Sequence, residues 1–215
     1  IYTYHLLSEA LRRGHNNRSH FVGDPDYFNV PVKELLSKER TIELAKSIQI
    51  NKASKSTDIK PLNLIKEGRN TTHFSIIDKD GNAVSNTYTL GYSFGSGVTI
   101  PGTGVLMNNQ MINFAYSYGD KKVRGRSASF GNKFEPGKKP MSTMAPVMVF
   151  DKNNKLSLIT GSPGGSLIPA AILRVITGVI DFDLNIGEAT MLTRVHKDWP
   201  ALGIRYEKTL TPILV

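Results

Sequence analysis

Cysteine is absent from this 215-residue chain. Its absence excludes disulfide frameworks, zinc sites built on thiolates and cysteine nucleophiles. The chain also lacks an apolar run of the about 20 residues that a membrane-spanning helix requires, and no signal peptide is visible at Ile1. What is present is a hydrophobic fraction of 40%. That fraction is enough for the core of one domain, or of parts of two.

Acidic residues are few, because 18 Asp and Glu stand against 27 Lys and Arg, for a formal net charge of +9. Such a balance raises the question of nucleic-acid binding. The basic residues are nevertheless spread out, apart from segments 120–126 and 136–140, and no aromatic residues are interleaved there for base stacking. We therefore predict solvated basic loops and no nucleic-acid partner. The positive field would favour anionic substrates.

The sequence divides into three consecutive regions. Residues 1–48 are predicted to be helical, with a helix over 3–13, a turn-rich connector to Pro31 and two further helical segments to about Ile48. Residues 49–70 are polar, Lys-rich and unpatterned, which is typical of a flexible linker. The chain begins within a helical pattern and ends without a polar tail. We therefore expect both ends to be cuts through a larger protein.

Residues 71–215 have the pattern of hairpins followed by helices. HFSIID and AVSNTYTL are strand-like runs on either side of KDGN, in which Asp80-Gly81 is a hairpin turn signal. VMVF and LSLIT indicate a second hairpin, and SLIPAAILRVITGVI indicates an apolar helix. This order predicts a layered α+β domain.

Two adjacent threonines open the first strand-like run, directly after Asn70. Threonine is common in strands, and Asn70-Thr71-Thr72 also matches a glycosylation sequon. The alternative is that Thr71 is cut free from Asn70 and becomes an N-terminal nucleophile. A free α-amine on the same residue has a pKa near neutrality and can take the hydroxyl proton. The local sequence leaves these interpretations open.

Two further motifs carry groups that amide hydrolysis uses. GSPGGS at 161–166 lies between a strand-like run and an apolar helix, where glycine backbone N–H groups could face an oxyanion. The other interpretation is a plain strand-to-helix turn. KKPMSTMAP at 138–146 offers adjacent hydroxyls that could hold a carboxylate. His, Asp and Glu show no metal-ligand spacing, so we expect no metal and no cofactor.

Together, these motifs closely resemble the γ-glutamyltranspeptidase family of N-terminal-nucleophile hydrolases. The motifs are TTHFSIIDKDGNAVSNTYTL, SFGSG, PGTGVLMNNQM, KKPMSTMAP and GSPGGS, in this order. The resemblance is specific over most of 71–208. It extends more loosely to FVGDPDYFNVPVKELLSKE, which resembles the end of the family's large subunit.

The resemblance implies an αββα layered sandwich, incomplete in this chain, and self-cleavage between Asn70 and Thr71 into a large and a small subunit. It implies a γ-glutamyltransferase or glutathione hydrolase with a periplasmic or extracellular location. The substrates would be glutathione-like γ-glutamyl amides, with water or an amino acid or peptide as acceptor, and the remainder of the large subunit would be a partner. The implied roles are nucleophile for Thr71, orientation of Thr71 for Thr89, oxyanion hole for Gly164 and Gly165, α-carboxylate binding for Ser142 and Thr143, and α-amino contact for Gln110.

Two positions depart from the family pattern. Gly91 stands where the family usually has an asparagine that helps to bind the substrate, and Asn113 stands where it usually has an aspartate that pairs with the α-ammonium. A hydrogen bond to a charged group contributes about 1.5–3 kcal/mol, against about 1 for a neutral pair. We therefore expect weaker selectivity for an α-amino group.

These departures keep two other functions open. A glutaryl-type acylase or other amidase of the same superfamily would need no α-ammonium site. A non-enzymatic basic binding protein could use the same scaffold, although Thr71, Thr89 and the Gly164-Gly165 pair argue against it. Rates on γ-glutamyl and glutaryl anilides distinguish a γ-glutamyl hydrolase or transpeptidase from the acylase. Any turnover excludes the non-enzymatic binding protein.

Overall fold

The computed structural model describes residues 2–55, 70–117, 123–125, 129–199 and 203–207. These residues form two compact units that alternate along the chain. The first unit takes its described residues from 2–55, 111–142 and 195–207, and the second from 70–110 and 143–194. Most of the segment that the sequence identifies as a linker, 56–69, lies outside the described residues. The division of the chain at 48 and 70 stays a prediction.

Helices dominate the first unit. Its elements are α1 (Tyr2–Phe21), α2 (Val32–Leu35), α3 (Lys38–Lys46), β3 (Ala115–Ser117), β4 (Val123–Gly125), β7 (Val195–His196) and β8 (Arg205–Tyr206). The strands pair antiparallel, β3 with β4 and β7 with β8. The core contains Leu11, Phe114, Ala115, Met141 and Trp199, all buried.

Helix α1 is longer than the sequence predicted, because it runs for 20 residues to Phe21 and takes in half of the expected connector. The pattern HNNRSH has weak helix propensity, but propensity yields to tertiary packing. His15 is buried, and the ring of His20 lies 5.1 Å from that of Trp199. Arg18 and His20 are basic residues in the last turn, where a positive charge interacts favourably with the negative end of the helix dipole.

Charged residues on the buried face of α1 are satisfied by a network within the first unit. Glu9 is 1% exposed, and its carboxylate accepts hydrogen bonds from Arg13 Nη1 at 2.6 Å and from Ser54 Oγ at 2.6 Å. Burial acts to raise the pKa of Glu9, but these bonds and the nearby Arg12 hold it below its usual value. A buried carboxylate with such partners stays ionised.

The basic segment 136–140 is a turn and loop in which residues 136, 137 and 139 are exposed, and its charges have partners within the first unit. The Lys139 ammonium lies 2.7 Å from Asp26 Oδ2, and the Lys139 backbone N–H donates to Asp24 Oδ2 at 2.7 Å. The side chain of Lys138 is 3% exposed and lies 3.8 Å from Glu135. These charges are paired locally. Of the other basic segment only 123–125 is described, as strand β4.

The second unit contains the predicted hairpins and apolar helix. Its elements are β1 (Asn70–Ile77), β2 (Ala83–Gly91), β5 (Val147–Phe150), β6 (Leu156–Thr160), α4 (Ile168–Ile180) and α5 (Ile186–Met191). β1 pairs antiparallel with β2, and β5 with β6. The turn between β1 and β2 has Gly81 at φ 85°, as the Asp80-Gly81 signal predicted. This hairpin is therefore confirmed.

One face of the β1–β2 hairpin packs on the end of β6. Ser85 Oγ donates to the Thr160 carbonyl at 3.2 Å, and Thr87 on the same face is buried. The other face leaves Phe74, Ile76 and Val84 exposed. Strand β2, which pairs with the strand of the proposed nucleophile, is thus held against β6, the strand that leads into the glycine motif.

Helix α4 begins with Pro169 in its first turn and packs against α5. Gly178 allows close approach, because a Cβ there would lie 2.8 Å from the Cβ of Ala189. Asn185 caps α5, because its side chain accepts a hydrogen bond from the Glu188 N–H. The Glu188 carboxylate in turn accepts one from the Asn185 N–H. Within the described residues, no helix has both the length and the apolar character that a membrane crossing requires.

Candidate active site

A β-bulge lies at the proposed nucleophile. In the register of the hairpin, Asn70 faces Gly91 and Thr72 faces Tyr88. Thr71 on β1 therefore faces two residues of β2, Thr89 and Leu90. A bulge of this kind bends the strand locally and re-aims side chains, and bulges are frequent beside active sites. Thr71 and Thr89, both half-buried, are brought opposite each other at this irregularity.

Contacts around Thr89 fix the end of β2. Its Oγ1 accepts a hydrogen bond from the Gly91 N–H at 2.9 Å, and its carbonyl accepts one from Gln110 Nε2 at 3.4 Å. The backbone of Gln110 in turn donates to Asn108 Oδ1 at 2.9 Å. The structure thus brings Gln110 to the strand of Thr89. A bond between Thr89 and Thr71 stays a prediction.

Gly91 is required by its surroundings. It is buried with φ 94°, and a Cβ there would collide with Asn109 Oδ1. That oxygen accepts a hydrogen bond from the Tyr92 N–H at 3.1 Å, and the Asn109 N–H donates to the Leu90 carbonyl at 2.9 Å. The amide of Asn109 therefore occupies the space next to position 91. Gly91 therefore differs from the asparagine usual in the family because Asn109 leaves no room for a Cβ at this position.

Both glycines proposed for the oxyanion hole have positive φ. Gly164 has φ 127° and Gly165 has φ 58°. A short 3-10 turn, Gly165–Leu167, follows and leads into α4. The left-handed region costs residues with a Cβ about 1–2 kcal/mol, so both positions favour glycine, and the role of the pair as an oxyanion hole stays a prediction. Backbone N–H groups just before a 13-residue helix lie where its dipole adds positive potential.

His73 connects β1 to the start of the glycine motif. Its Nδ1 lies 2.8 Å from Thr87 Oγ1, and its Nε2 lies 3.1 Å from Ser75 Oγ. The imidazole lies directly against Gly161, since a Cβ at Gly161 would collide with it. Burial lowers the pKa of His73, which favours the neutral ring. The contact fixes the separation of β1 and the motif that begins at residue 161.

Asn113 is held by a buried amide in the first unit. Asn132, which is 0% exposed, donates from Nδ2 to the Asn113 carbonyl at 2.7 Å. Its Oδ1 accepts from the Met141 N–H at 2.9 Å. Met141 is buried and directly precedes the exposed Ser142. One side chain therefore fixes the backbone at Asn113 and next to Ser142.

The two units share the predicted site residues. Thr71, Thr89, Gln110, Thr143, Gly164 and Gly165 belong to the second unit, and Asn113 and Ser142 to the first. The sequence reasoning missed His73, Asn109 and Asn132. His73 and Asn109 stand within the quoted motifs and could have been found there. Asn132 lies outside them, and no local pattern marks it.

Known proteins match this chain over nearly its whole length. The family model for γ-glutamyltranspeptidase matches residues 2–215. The glutathione hydrolase proenzyme of Escherichia coli (strain K12) is 41% identical over 208 residues, which cover 96% of this chain and 36% of that protein. The acylase ACY 1 proenzyme of Pseudomonas sp. (strain SE83) is 34% identical over 200 residues, which cover 93% of this chain and 33% of that protein. The chain thus spans about a third of the length of these curated relatives.

Solved structures agree with these matches. A crystal structure of an acivicin-inhibited γ-glutamyltranspeptidase is 44% identical and superimposes with a TM-score of 0.59, covering 66% of this chain and 74% of that chain. The similarity confirms the α+β class and the N-terminal-nucleophile hydrolase type of fold, of which this chain holds a part. Family model, curated relatives and fold agree, and the chain belongs to the γ-glutamyltranspeptidase family.

Proposed function

We propose that the protein containing this chain is a γ-glutamyl hydrolase or transpeptidase that acts on glutathione-like γ-glutamyl amides. The observation that carries the proposal is the bulge that sets Thr71, the first residue after the proposed cleavage bond, opposite Thr89 and Leu90. The extra residue lies on β2, and the pairing is locally disrupted where Thr71 stands. The paired positive φ values at Gly164 and Gly165 support the same function.

Maturation uses the Thr71 hydroxyl itself. Its oxygen attacks the carbonyl carbon of Asn70, the C–N bond to Thr71 breaks, and the Thr71 nitrogen takes up the proton. Water then hydrolyses the resulting ester. The products are a carboxylate at Asn70 and a free α-amine at Thr71, which is the base that the next step requires.

Turnover repeats this chemistry on the substrate. The α-amine takes the proton of the Thr71 hydroxyl, and the oxygen attacks the γ-carbonyl carbon of the substrate. Backbone N–H groups of Gly164 and Gly165 stabilise the oxyanion of the tetrahedral intermediate. The amine leaving group departs with a proton, and a γ-glutamyl ester remains on Thr71. Water or the amino group of an acceptor then releases the γ-glutamyl group.

Four polar residues are proposed to recognise the substrate. Ser142 and Thr143 bind the α-carboxylate, and Gln110 contacts the α-amino group from its position beside Thr89. Asn113 contacts the same ammonium as a neutral acceptor, held in place by Asn132. The remainder of the large subunit completes the site, and the enzyme works in the periplasm or outside the cell.

A glutaryl-type acylase is the second candidate, and the neutral Asn113 is the observation that favours it. The test is turnover of γ-glutamyl and glutaryl anilides by the full-length protein, together with its intact mass. We expect two fragments that meet at Asn70–Thr71, and faster turnover of the γ-glutamyl anilide. Preference for the glutaryl anilide would favour the acylase. A single uncut chain without turnover would support a non-enzymatic binding protein.

A further inference from the structure

Inside the first unit, a histidine from the start of the sequence meets a histidine and an aspartate from near its end. His15 lies in α1, His196 in β7, and Asp198 just after it. One potential ligand atom from each lies within 4.8 Å of the other two. The imidazoles are 6% and 4% exposed, and their ring centroids are 5.3 Å apart at an interplanar angle of 83°. Within the described ranges, no other group of His, Asp and Glu meets this condition.

Nitrogen atoms in this cluster are buried without partners. His15 Nε2 and His196 Nδ1 make no hydrogen bond to any described residue. His196 Nε2 lies 2.8 Å from Asp198 Oδ1, a hydrogen-bond distance that holds these two side chains together. Imidazole nitrogens of this kind are common metal ligands.

The charges around the cluster select the class of ion. Arg205 pairs with the other oxygen of Asp198, and Arg18 and the buried Lys197 add positive charge nearby. Hard ions such as Mg²⁺ or Ca²⁺ require several oxygen ligands and negative charge, which this cluster does not offer. Imidazole nitrogens instead bind first-row transition ions.

We propose that His15, His196 and Asp198 bind one divalent transition ion, with Zn²⁺ as the best fit to two imidazoles and a carboxylate. Bonds of about 2.0–2.2 Å put tetrahedral ligands about 3.4 Å apart. Binding would therefore require the widest separation, up to 4.8 Å, to close by about 1.4 Å and the 2.8 Å pair to open by about 0.6 Å. Three protein ligands leave the fourth position to water. Ligand spacing in the sequence gave no sign of this site, because its members come from opposite ends of the chain.

The location of the ligands gives the ion a role. His15 precedes the proposed cleavage bond, whereas His196 and Asp198 follow it. Cleavage between Asn70 and Thr71 would leave these ligands on different fragments, and the ion would link the two. This linking role rests on the proposed function, but binding of the ion does not.

The test uses the full-length protein without an affinity tag, stripped with EDTA. Zn²⁺ is titrated at pH 7 by calorimetry, and Co²⁺ is added as a probe for the visible absorption bands of a site with imidazole ligands. We expect one equivalent of either ion. His15→Ala and His196→Ala should each weaken Zn²⁺ binding by more than the about 10- to 100-fold that outer-shell changes cost.

His5→Ala is the matched control, because His5 is in the same helix and contacts the Gln49 carbonyl at 2.8 Å, away from the cluster. It should bind Zn²⁺ like the wild type. Absence of stoichiometric binding by the folded wild type would overturn the proposal, as would equal affinities of His15→Ala and His5→Ala. The wild-type result stands even if a variant fails to fold.

Two further measurements distinguish failure of the metal site from failure of the proposed function. Thr71→Ala protein, which should stay uncut, has all three ligands and should bind Zn²⁺ as tightly as the wild type. In the cleaved wild type, EDTA should lower the urea concentration at which the fragments separate, and Zn²⁺ should restore it. An unchanged separation midpoint despite bound Zn²⁺ would overturn the linking role.

Discussion

Asn132 donates a hydrogen bond of 2.7 Å to the carbonyl of Asn113, and the same side chain accepts one of 2.9 Å from the Met141 N–H. It thereby fixes the backbone at one proposed substrate contact and directly before another, Ser142. Asn132 is fully buried, so neither bond competes with water. We regard Asn132 as a positioning residue.

Asn132→Ala should impair substrate binding more than chemistry. Each buried backbone group that loses its partner costs about 1–3 kcal/mol, so the free energy of unfolding should fall measurably. The KM for a γ-glutamyl anilide should rise several-fold more than kcat falls. Steady-state kinetics and urea unfolding of the full-length protein provide the measurements.

Asn132→Asp separates the two bonds. A carboxylate still accepts from Met141, but its second oxygen would face the Asn113 carbonyl as a buried, unpaired charge, so its KM should rise at least as far as that of Asn132→Ala. Asn153→Ala is the control, since Asn153 is exposed in the β5–β6 turn and should change stability by no more than about 0.5 kcal/mol. A KM that is unchanged in folded Asn132→Ala protein would contradict the positioning role.

Thr71→Ala should stay a single chain and show no turnover, because it lacks the oxygen that attacks Asn70 and later the substrate. Thr72→Ala is the matched control. Thr72 is adjacent and exposed on β1, and its variant should be cleaved like the wild type. Intact mass and anilide turnover are measured on both. Normal cleavage of Thr71→Ala would refute the assignment of the nucleophile.

Gly165→Val should lower kcat by about 100- to 1000-fold, the usual effect of losing one oxyanion donor. A β-branched residue does not tolerate φ 58°, so the backbone N–H would turn away. Gly102→Val controls for strain alone, because Gly102 has φ 77° in an exposed loop with no atom near its Cβ position. Equal kcat values for the two variants would show that Gly165 only shapes a turn.

Asn113→Asp should raise the ratio of kcat/KM on γ-glutamyl over glutaryl anilides. A carboxylate gains about 0.5–2 kcal/mol on an ammonium compared with a neutral amide, or about 2- to 30-fold in preference. Asn51→Asp adds the same charge on an exposed turn and should leave the ratio unchanged. A flat or lower ratio for Asn113→Asp would mean that residue 113 does not face the α-amino group.

Gly91→Asn restores the residue usual in the family but should not restore its contribution. The new Cβ would collide with Asn109 Oδ1, and φ 94° is unfavourable for asparagine. Strain of this kind costs about 1–3 kcal/mol, which urea unfolding would detect. The double variant with Asn109→Ala should lose less stability than the sum of the two single changes, because the collision is removed. Strict additivity would show that the two positions are independent.

The sequence by itself determined the features that depend on neighbours along the chain. Alternation on either side of Asp80-Gly81 predicted the β1–β2 hairpin, and the apolar run after GSPGGS predicted α4. The threonine pair after Asn70 and the paired glycines were visible for the same reason. Turn chemistry, strand alternation and helical periodicity act over a few residues, and a motif can therefore be read before the fold is known.

Only the tertiary structure decided the contacts that join distant residues. Asn132 meets Asn113 and Met141, His73 meets Gly161, and His15 meets His196 through packing that no local pattern specifies. The end of α1 was misjudged for the same reason, because the packing of His15 and of the His20 ring outweighs the weak helix propensity of HNNRSH. Side-chain burial and hydrogen bonding between segments contribute more free energy than local preference, so these positions depend on the fold.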